Sequence, residues 1–300
     1  MAEALLKKRL AAGERLLMDG GMGSEIERRG FPTMLPLWSA EALLTHPEVV
    51  LQIYQDYIEA GAEIIITDTF RTTKRVFANK GVAEQAASAT ALACALAHQA
   101  RAGTHSDREI FIAGSIAPLE DCYSPELTPP QPEIEVEHAE IVAQLQQGGV
   151  DFLLLETMIT MRETLSGVRA AHQRGLPFAV SFCCNDQLAL LGGEPLQEVV
   201  RTVEPFQPLF IGVNCVSIDI ATNTVRHLRE MTTLPISVYA QGDGLADGAR
   251  GWKLSEEQYL QTYLQAALRW LAAGAQILGG CCGTTPAYIR DLRQLLDERA

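Results

Sequence analysis

Eight short apolar runs punctuate the chain, at 16–18, 64–67, 110–113, 152–155, 178–181, 210–213, 236–239 and 276–278. Most are rich in Ile, Val, Leu or Phe and too short for helices. They lack the strict alternation of a half-exposed strand, as strands buried on both faces do. Longer helical stretches fill the intervals, at 47–61, 82–101, 132–148, 160–175, 196–203, 219–231, 255–274 and 285–298. The first of these opens with Pro47 and closes on Gly61, which is the Pro-in, Gly-out asymmetry of a helix. Ser255-Glu-Glu-Gln258 has the form of a capping box at the start of another. Three phrases each read as a helix end turning into a strand: Glu59-Ala-Gly-Ala-Glu63, Gln147-Gly-Gly-Val-Asp151 and Ala272-Ala-Gly-Ala-Gln276. Ahead of the first run, 1–17 mixes Lys7, Lys8, Arg9, Glu14 and Arg15 with Ala and Leu, which predicts an amphipathic helix rather than a signal peptide.

Strand then helix, eight times, predicts an α/β fold: one (β/α)8 TIM barrel over 1–300, with an N-terminal helix. The competing architecture is a doubly wound open sheet. Against it, Asp19-Gly-Gly-Met-Gly-Ser after the first run matches Gly-x-Gly-x-x-Gly only in part. Thr128-Pro-Pro-Gln-Pro132 reads as a stiff loop, not a domain boundary.

Charge narrows the partners. Twenty-four Lys and Arg against 37 Asp and Glu leave a net charge of −13. That balance argues against nucleic acid and against an anionic membrane surface, and it leaves room for a cationic small molecule. No apolar run approaches the ~20 residues that span a bilayer, so the cytoplasm is the expected location. Seven cysteines, an odd number, do not read as a disulfide framework in such a chain and point to metal binding or thiol chemistry.

In a barrel the chemistry lies at the carboxyl ends of the strands. Those ends carry Asp19, Gly20 and Gly21 after the first run, Asp68, Thr69 and Phe70 after the second, and Gly114 and Ser115 after the third. Glu156 follows the fourth, Cys183 and Cys184 the fifth, Asn214 and Cys215 the sixth, Asp243 the seventh, and Cys281 and Cys282 the eighth. None of the six histidines falls there. Cys215, Cys281 and Cys282 therefore form the candidate metal site. Soft thiolates favour zinc, and three protein ligands leave a fourth position open. Gly279, Gly280 and Gly283 allow the backbone to bend so that two consecutive cysteines face one ion. Cys94 in its Ala-rich helix reads as a small apolar core residue, and Cys122, Cys183 and Cys184 read mainly the same way. No iron–sulfur cysteine spacing is present.

At these residues the chain resembles the homocysteine S-methyltransferase family. Gly212-Val-Asn-Cys215 and Gly279-Gly-Cys-Cys-Gly-Thr-Thr-Pro286 are similar to its paired zinc motifs, and Asp19-Gly-Gly-Met-Gly-Ser-Glu25 to its amino-terminal motif. Leu37-Trp-Ser-Ala40 and Leu154-Leu-Glu-Thr157 also resemble family segments. The resemblance implies a barrel with Zn2+ held by three cysteines, and methyl transfer to the thiol of homocysteine to give methionine. It implies that Cys215, Cys281 and Cys282 hold the zinc and that Glu156, helped by Asp19, holds the homocysteine ammonium. Gly20 and Gly21 would then offer N–H groups to its carboxylate.

The chemistry is consistent on its own terms, because a thiol with a pKa near 8–9 is mostly protonated at pH 7 and a zinc ion deprotonates it outright. One barrel uses up the chain, which points to a compact donor: S-methylmethionine, S-adenosylmethionine or a betaine-like compound. Trp38, Phe70, Tyr123, Tyr239 and Trp252 are expected to form an aromatic mouth suited to a cationic donor. The chain also departs from members that use S-methylmethionine. Ala117-Pro-Leu-Glu120 replaces a Gly-Pro-Tyr-Gly loop, Tyr239-Ala-Gln-Gly-Asp-Gly244 replaces Tyr-Pro-Asn-Ser-Gly-Glu, and Asp68 is an added carboxylate, either for a cationic donor or as a solvated loop charge. The alternatives are a different thiol and donor pair, a zinc-dependent lyase or hydrolase on the same barrel, and a non-catalytic zinc- or thiol-binding protein.

Overall fold

The computed structural model describes residues 2–247, 249, 251–253 and 259–299. In chain order the strands are β1 (Leu16–Leu17), β2 (Ile64–Ile66), β3 (Phe111–Ile116), β4 (Phe152–Met158), β5 (Phe178–Phe182), β6 (Ile211–Asn214), β7 (Ile236–Tyr239), β8 (Leu245–Asp247), β9 (Gly251–Lys253) and β10 (Ile277–Leu278). Eight of them form one parallel sheet in the order β1, β10, β7, β6, β5, β4, β3, β2, and a bridge from Met18 to Ile64 joins β1 to β2 and closes the ring. β8 and β9 pair as an antiparallel hairpin between the seventh and eighth barrel strands.

The absence of alternation in the sequence has its cause here. Along β3, Phe111 and Ala113 point into the barrel while Ile112 and Ile116 pack under the helices; along β4, Phe152 and Leu154 point in and Leu153 and Leu155 out. Both faces are apolar because both are covered. Helices return the chain to the start of each strand. Glycines in the left-handed region end the three recurrent phrases, Gly61 at φ +103°, Gly149 at +71° and Gly274 at +97°. A side chain there is strained, so the helix stop is written in the residue type. The helix that begins with Pro47 runs to Glu59 as the sequence predicts. The capping box at 255–258 lies outside the described residues; the helix after it is described from Leu260.

The N-terminal helix, Ala2–Ala11, closes the lower end of the barrel: Leu6 and Leu10 are buried in the interior layer with Leu16, Ile64, Phe111 and Phe210. Beside it the buried Glu63 accepts from Arg9 (2.5 Å) and from Arg293 of the last helix (2.7 Å), tying both ends of the chain to β2. Among the described residues no helix is long and apolar enough to cross a membrane.

Candidate metal and thiol site

The opposite end of the interior layer holds Cys215, Cys281 and Cys282, all buried, with their sulfur atoms within 4.8 Å of one another. They reach this point from two loops, one after β6 and one after β10. In the ring, β7 lies between those strands, and it pins both loops. Cys215 N–H donates to the Tyr239 carbonyl (3.3 Å) and Cys281 N–H to the next carbonyl, Ala240 (2.9 Å).

The glycines of the second loop are dictated by close approach. A Cβ on Gly280 would lie 2.2 Å from Thr284 Oγ1, and Gly283, at φ +80°, has the Asp243 carbonyl against its Cα. Thr284 Oγ1 also donates to the Cys281 carbonyl (2.6 Å), and Tyr263 donates to the Gly279 carbonyl (2.7 Å).

The cysteine count does not predict a disulfide, yet in this structure Cys215 and Cys281 are joined as one, with Cα atoms 5.6 Å apart across 66 residues. The reason is the convergence itself: two loops pinned to adjacent carbonyls bring their sulfurs together. Only the reduced trio is a three-thiolate ligand set. With zinc–sulfur bonds of about 2.3 Å, tetrahedral ligands lie about 3.8 Å apart, a spacing that Cys215 and Cys281 can adopt only once their bond is reduced, with Cys282 already within 4.8 Å of both.

Next to the sulfurs lies a cavity of about 460 Å³, within the range of small-molecule sites. Asp19, Gly20, Gly21, Asp68 and Glu156 all line it, with the three cysteines. Glu156 belongs to β4 rather than to the loop after it. The strand bulges between Leu155 and Met158, and Thr157 sits at φ +55°. Glu156 Oε1 accepts from Ser115 Oγ at 2.5 Å, and Ser115 likewise lies within β3, not after it. Burial pushes the Glu156 carboxyl up to about 7, against the lowering effect of the Ser115 hydroxyl. Burial also raises Asp19 well above the ordinary carboxylate range, opposed by the Ile66 N–H on its Oδ2 (2.8 Å) and reinforced by Glu156; its Oδ1 is buried without a partner.

Other expectations need correction. Gly21 N–H is already donated to Thr284 Oγ1 (3.1 Å), so it does not stand free for a substrate carboxylate. Both glycines are also required by packing: a Cβ on Gly20 would meet the Tyr57 hydroxyl at 2.7 Å, and one on Gly21 the Cys281 carbonyl at the same distance. Trp38, Phe70, Tyr123 and Tyr239 line the cavity, but Trp252 does not: it is buried in the interior cluster that holds the three cysteines, donating to the Asp243 carbonyl (3.0 Å). Cys183 and Cys184 are buried beside the trio and not in it, and Cys122 lines the cavity; burial holds Cys122 at about 11 and Cys184 at about 12.

Three contributors have no role in the sequence reading, which places Asn214 and Ser115 at strand ends and does not name Arg71. Asn214 closes β6 and grips the bulge that carries Glu156: its Oδ1 accepts from Thr157 N–H (2.9 Å) and its Nδ2 donates to Thr157 Oγ1 (2.7 Å). Its neighbour Cys215 is held at φ +52°. Ser115 supports Glu156, and Arg71 is a cation in the cavity wall. Position at a strand end was the available signal for Asn214 and Arg71, but it names no role.

The family model for homocysteine S-methyltransferase matches residues 16–296. The chain belongs to the homocysteine S-methyltransferase family. It is 32% identical over 295 residues to the homocysteine S-methyltransferase of Escherichia coli (strain K12), covering 93% of this chain and 94% of that one. A selenocysteine Se-methyltransferase of Brassica oleracea var. italica is 28% identical, over 96% of this chain and 90% of its own. The metallated form of the homocysteine methyltransferase MmuM from Escherichia coli superposes with a TM-score of 0.81 at 30% identity, over 97% of this chain and 98% of that one. Its oxidized form gives a TM-score of 0.85 at 29% identity, over 97% and 99%. The chain is thus a methyltransferase of a metal-dependent family on a single-ring barrel.

Proposed function

We propose that this protein is a zinc-dependent S-methyltransferase that moves a methyl group from a small sulfonium or methylated-ammonium donor to the thiolate of homocysteine, giving methionine. The reading is carried by the convergence of three cysteine sulfurs with two buried carboxylates, Asp19 and Glu156, at one cavity.

Cys215, Cys281 and Cys282 would hold the Zn2+ ion, which would supply the Lewis acidity that lets a thiol react as its thiolate at neutral pH. The chain's own groups do the rest. Glu156, presented on a bulge locked by Asn214, faces an incoming ammonium, which would draw its carboxyl back to the charged form. Asp19, on the other side of the barrel mouth, offers its unpartnered Oδ1 to the same ammonium or to a bridging water. The apolar wall that includes Met22, Ile66 and Phe70 excludes water and keeps the reacting sulfur and methyl carbon in line. No side chain needs to remove a proton in the transfer step. A cytosolic setting fits, because thiolate ligands stay reduced there.

The test is a methionine assay on reduced protein, zinc-loaded and chelated, with homocysteine and a panel of donors. Zinc-loaded protein is expected to form methionine, and chelation to abolish it reversibly. Cys282→Ser is expected to lose both zinc and activity. Full activity after complete removal of zinc would overturn the proposal.

A further inference from the structure

The loop after β2 carries a second pair of charges that the thiol site does not use. Asp68 is buried; its Oδ1 accepts from Ser39 Oγ (2.6 Å), and its Oδ2 has no partner. Three residues on, the Arg71 side chain is also buried, at 7% exposure. Its Nη1 donates to the Glu120 carbonyl (2.8 Å), its Nε has no partner, and no carboxylate among the described residues forms an ion pair with it. Both residues line the cavity, and Arg71 is the one cationic side chain among the described residues that does. A buried, unpaired guanidinium and a buried carboxylate with a free oxygen are costly unless a ligand completes them.

The loop is braced for such work. Thr69 Oγ1 donates to the Ser115 carbonyl (2.7 Å), Ser115 N–H to Thr67 Oγ1 (3.0 Å), and Asp68 N–H to the Tyr54 hydroxyl (2.6 Å). Its position is also informative. In a ring of eight, β2 stands four strands from β6, so Asp68 and Arg71 face Cys215 across the barrel mouth. Between the two charges in the sequence lies Phe70, whose ring meets Trp38 edge-on, with centroids 6.0 Å apart. The Arg71 guanidinium carbon lies over the Phe70 ring, 5.5 Å from its centroid, and it is an aromatic face, not an edge, that attracts a cation.

We propose that Asp68 and Arg71 form a clamp for the α-amino-acid headgroup of the methyl donor, Asp68 taking its ammonium and Arg71 its carboxylate. The clamp rests on the methyltransferase reading above and adds to it the residues that hold the donor, which approaches from the side opposite the cysteine trio. Raised to about 6 by burial, Asp68 is readily returned to its charged form by an ammonium. A donor that lacks either end of the headgroup leaves a buried charge unpaired, which costs about tenfold or more in affinity.

The first arm of the test uses the reduced, zinc-loaded wild-type protein and calorimetric binding without any acceptor thiol. S-methylmethionine is compared with 4-(dimethylsulfonio)butanoate, which lacks the ammonium, and with (3-aminopropyl)dimethylsulfonium, which lacks the carboxylate. Each truncation is expected to weaken binding about tenfold or more. Equal affinity for all three would overturn the clamp. The second arm measures both KM values in Arg71→Gln, Arg71→Lys and Asp68→Asn. The donor KM is expected to rise about tenfold or more, least in Arg71→Lys, while the homocysteine KM stays within about twofold. A rise confined to homocysteine would assign these residues to the acceptor instead and overturn the proposal. If wild type binds S-methylmethionine by its headgroup but methylates no thiol, the methyltransferase reading fails and the clamp stands.

Discussion

Glu156 shows how one residue is set by its neighbours. It stands on an irregular stretch of β4 that the Asn214–Thr157 pair helps to keep in place, and it is buried deeply enough to hold a proton near neutrality. Glu156→Gln is expected to raise the homocysteine KM about tenfold or more by removing the charge that meets the ammonium, with zinc content unchanged by metal analysis. Asn214→Ala should lower kcat/KM and stability together, by about 1–3 kcal/mol in chemical denaturation, because it leaves buried groups on Thr157 unpaired.

The same burial sets a pH dependence. The folded-state carboxyls of Glu156 and Asp68 lie near 7 and 6, above their ordinary values near 4. The native chain therefore holds protons that the unfolded chain has released, and this contribution to stability is present below about pH 4 and lost as pH rises towards 7. The difference in Tm between metal-free Glu156→Gln and metal-free wild type should accordingly shift in favour of the variant from pH 5 to pH 7. A difference that is flat or of the opposite sign would refute the buried-acid account.

At the scale of elements, strands and loops divide the labour. The lower end of the barrel is structural, and Leu10→Ala in the helix Ala2–Ala11 should cost about 2–4 kcal/mol in urea unfolding while sparing zinc content, since it opens a cavity far from the cysteines. The upper end is chemical, and its precision comes from backbone pins such as Cys215 to Tyr239 and Cys281 to Ala240. The sequence carried the strands well because their apolar runs and terminal glycines are local signals. It showed β3 and β4 ending too soon, since Ser115 and Glu156 are polar residues that continue a strand into the site. Trp252 misled because aromatic character does not distinguish a cavity wall from the packed layer behind it. The packing role of Gly20 and Gly21 depends on Tyr57, Thr284 and Cys281, contacts that come from distant parts of the chain.

For the whole molecule, one ring of strands brings residues 215 and 281 to a shared point and sets the β2 loop across from it. The cysteines were legible because thiols at strand ends in one barrel are few and share one face. The charged clamp was half legible: Asp68 stands out as an added carboxylate, whereas Arg71 acquires meaning only once it is seen buried without a counter-ion. The central claim is that three cysteines hold a divalent ion with one position left for the acceptor sulfur. X-ray absorption at the zinc edge tests it most directly, on reduced zinc-loaded protein with and without homocysteine. The account predicts three sulfur neighbours at about 2.3 Å that become four when homocysteine is added. A first shell dominated by nitrogen or oxygen, or a sulfur count that homocysteine leaves unchanged, would contradict it.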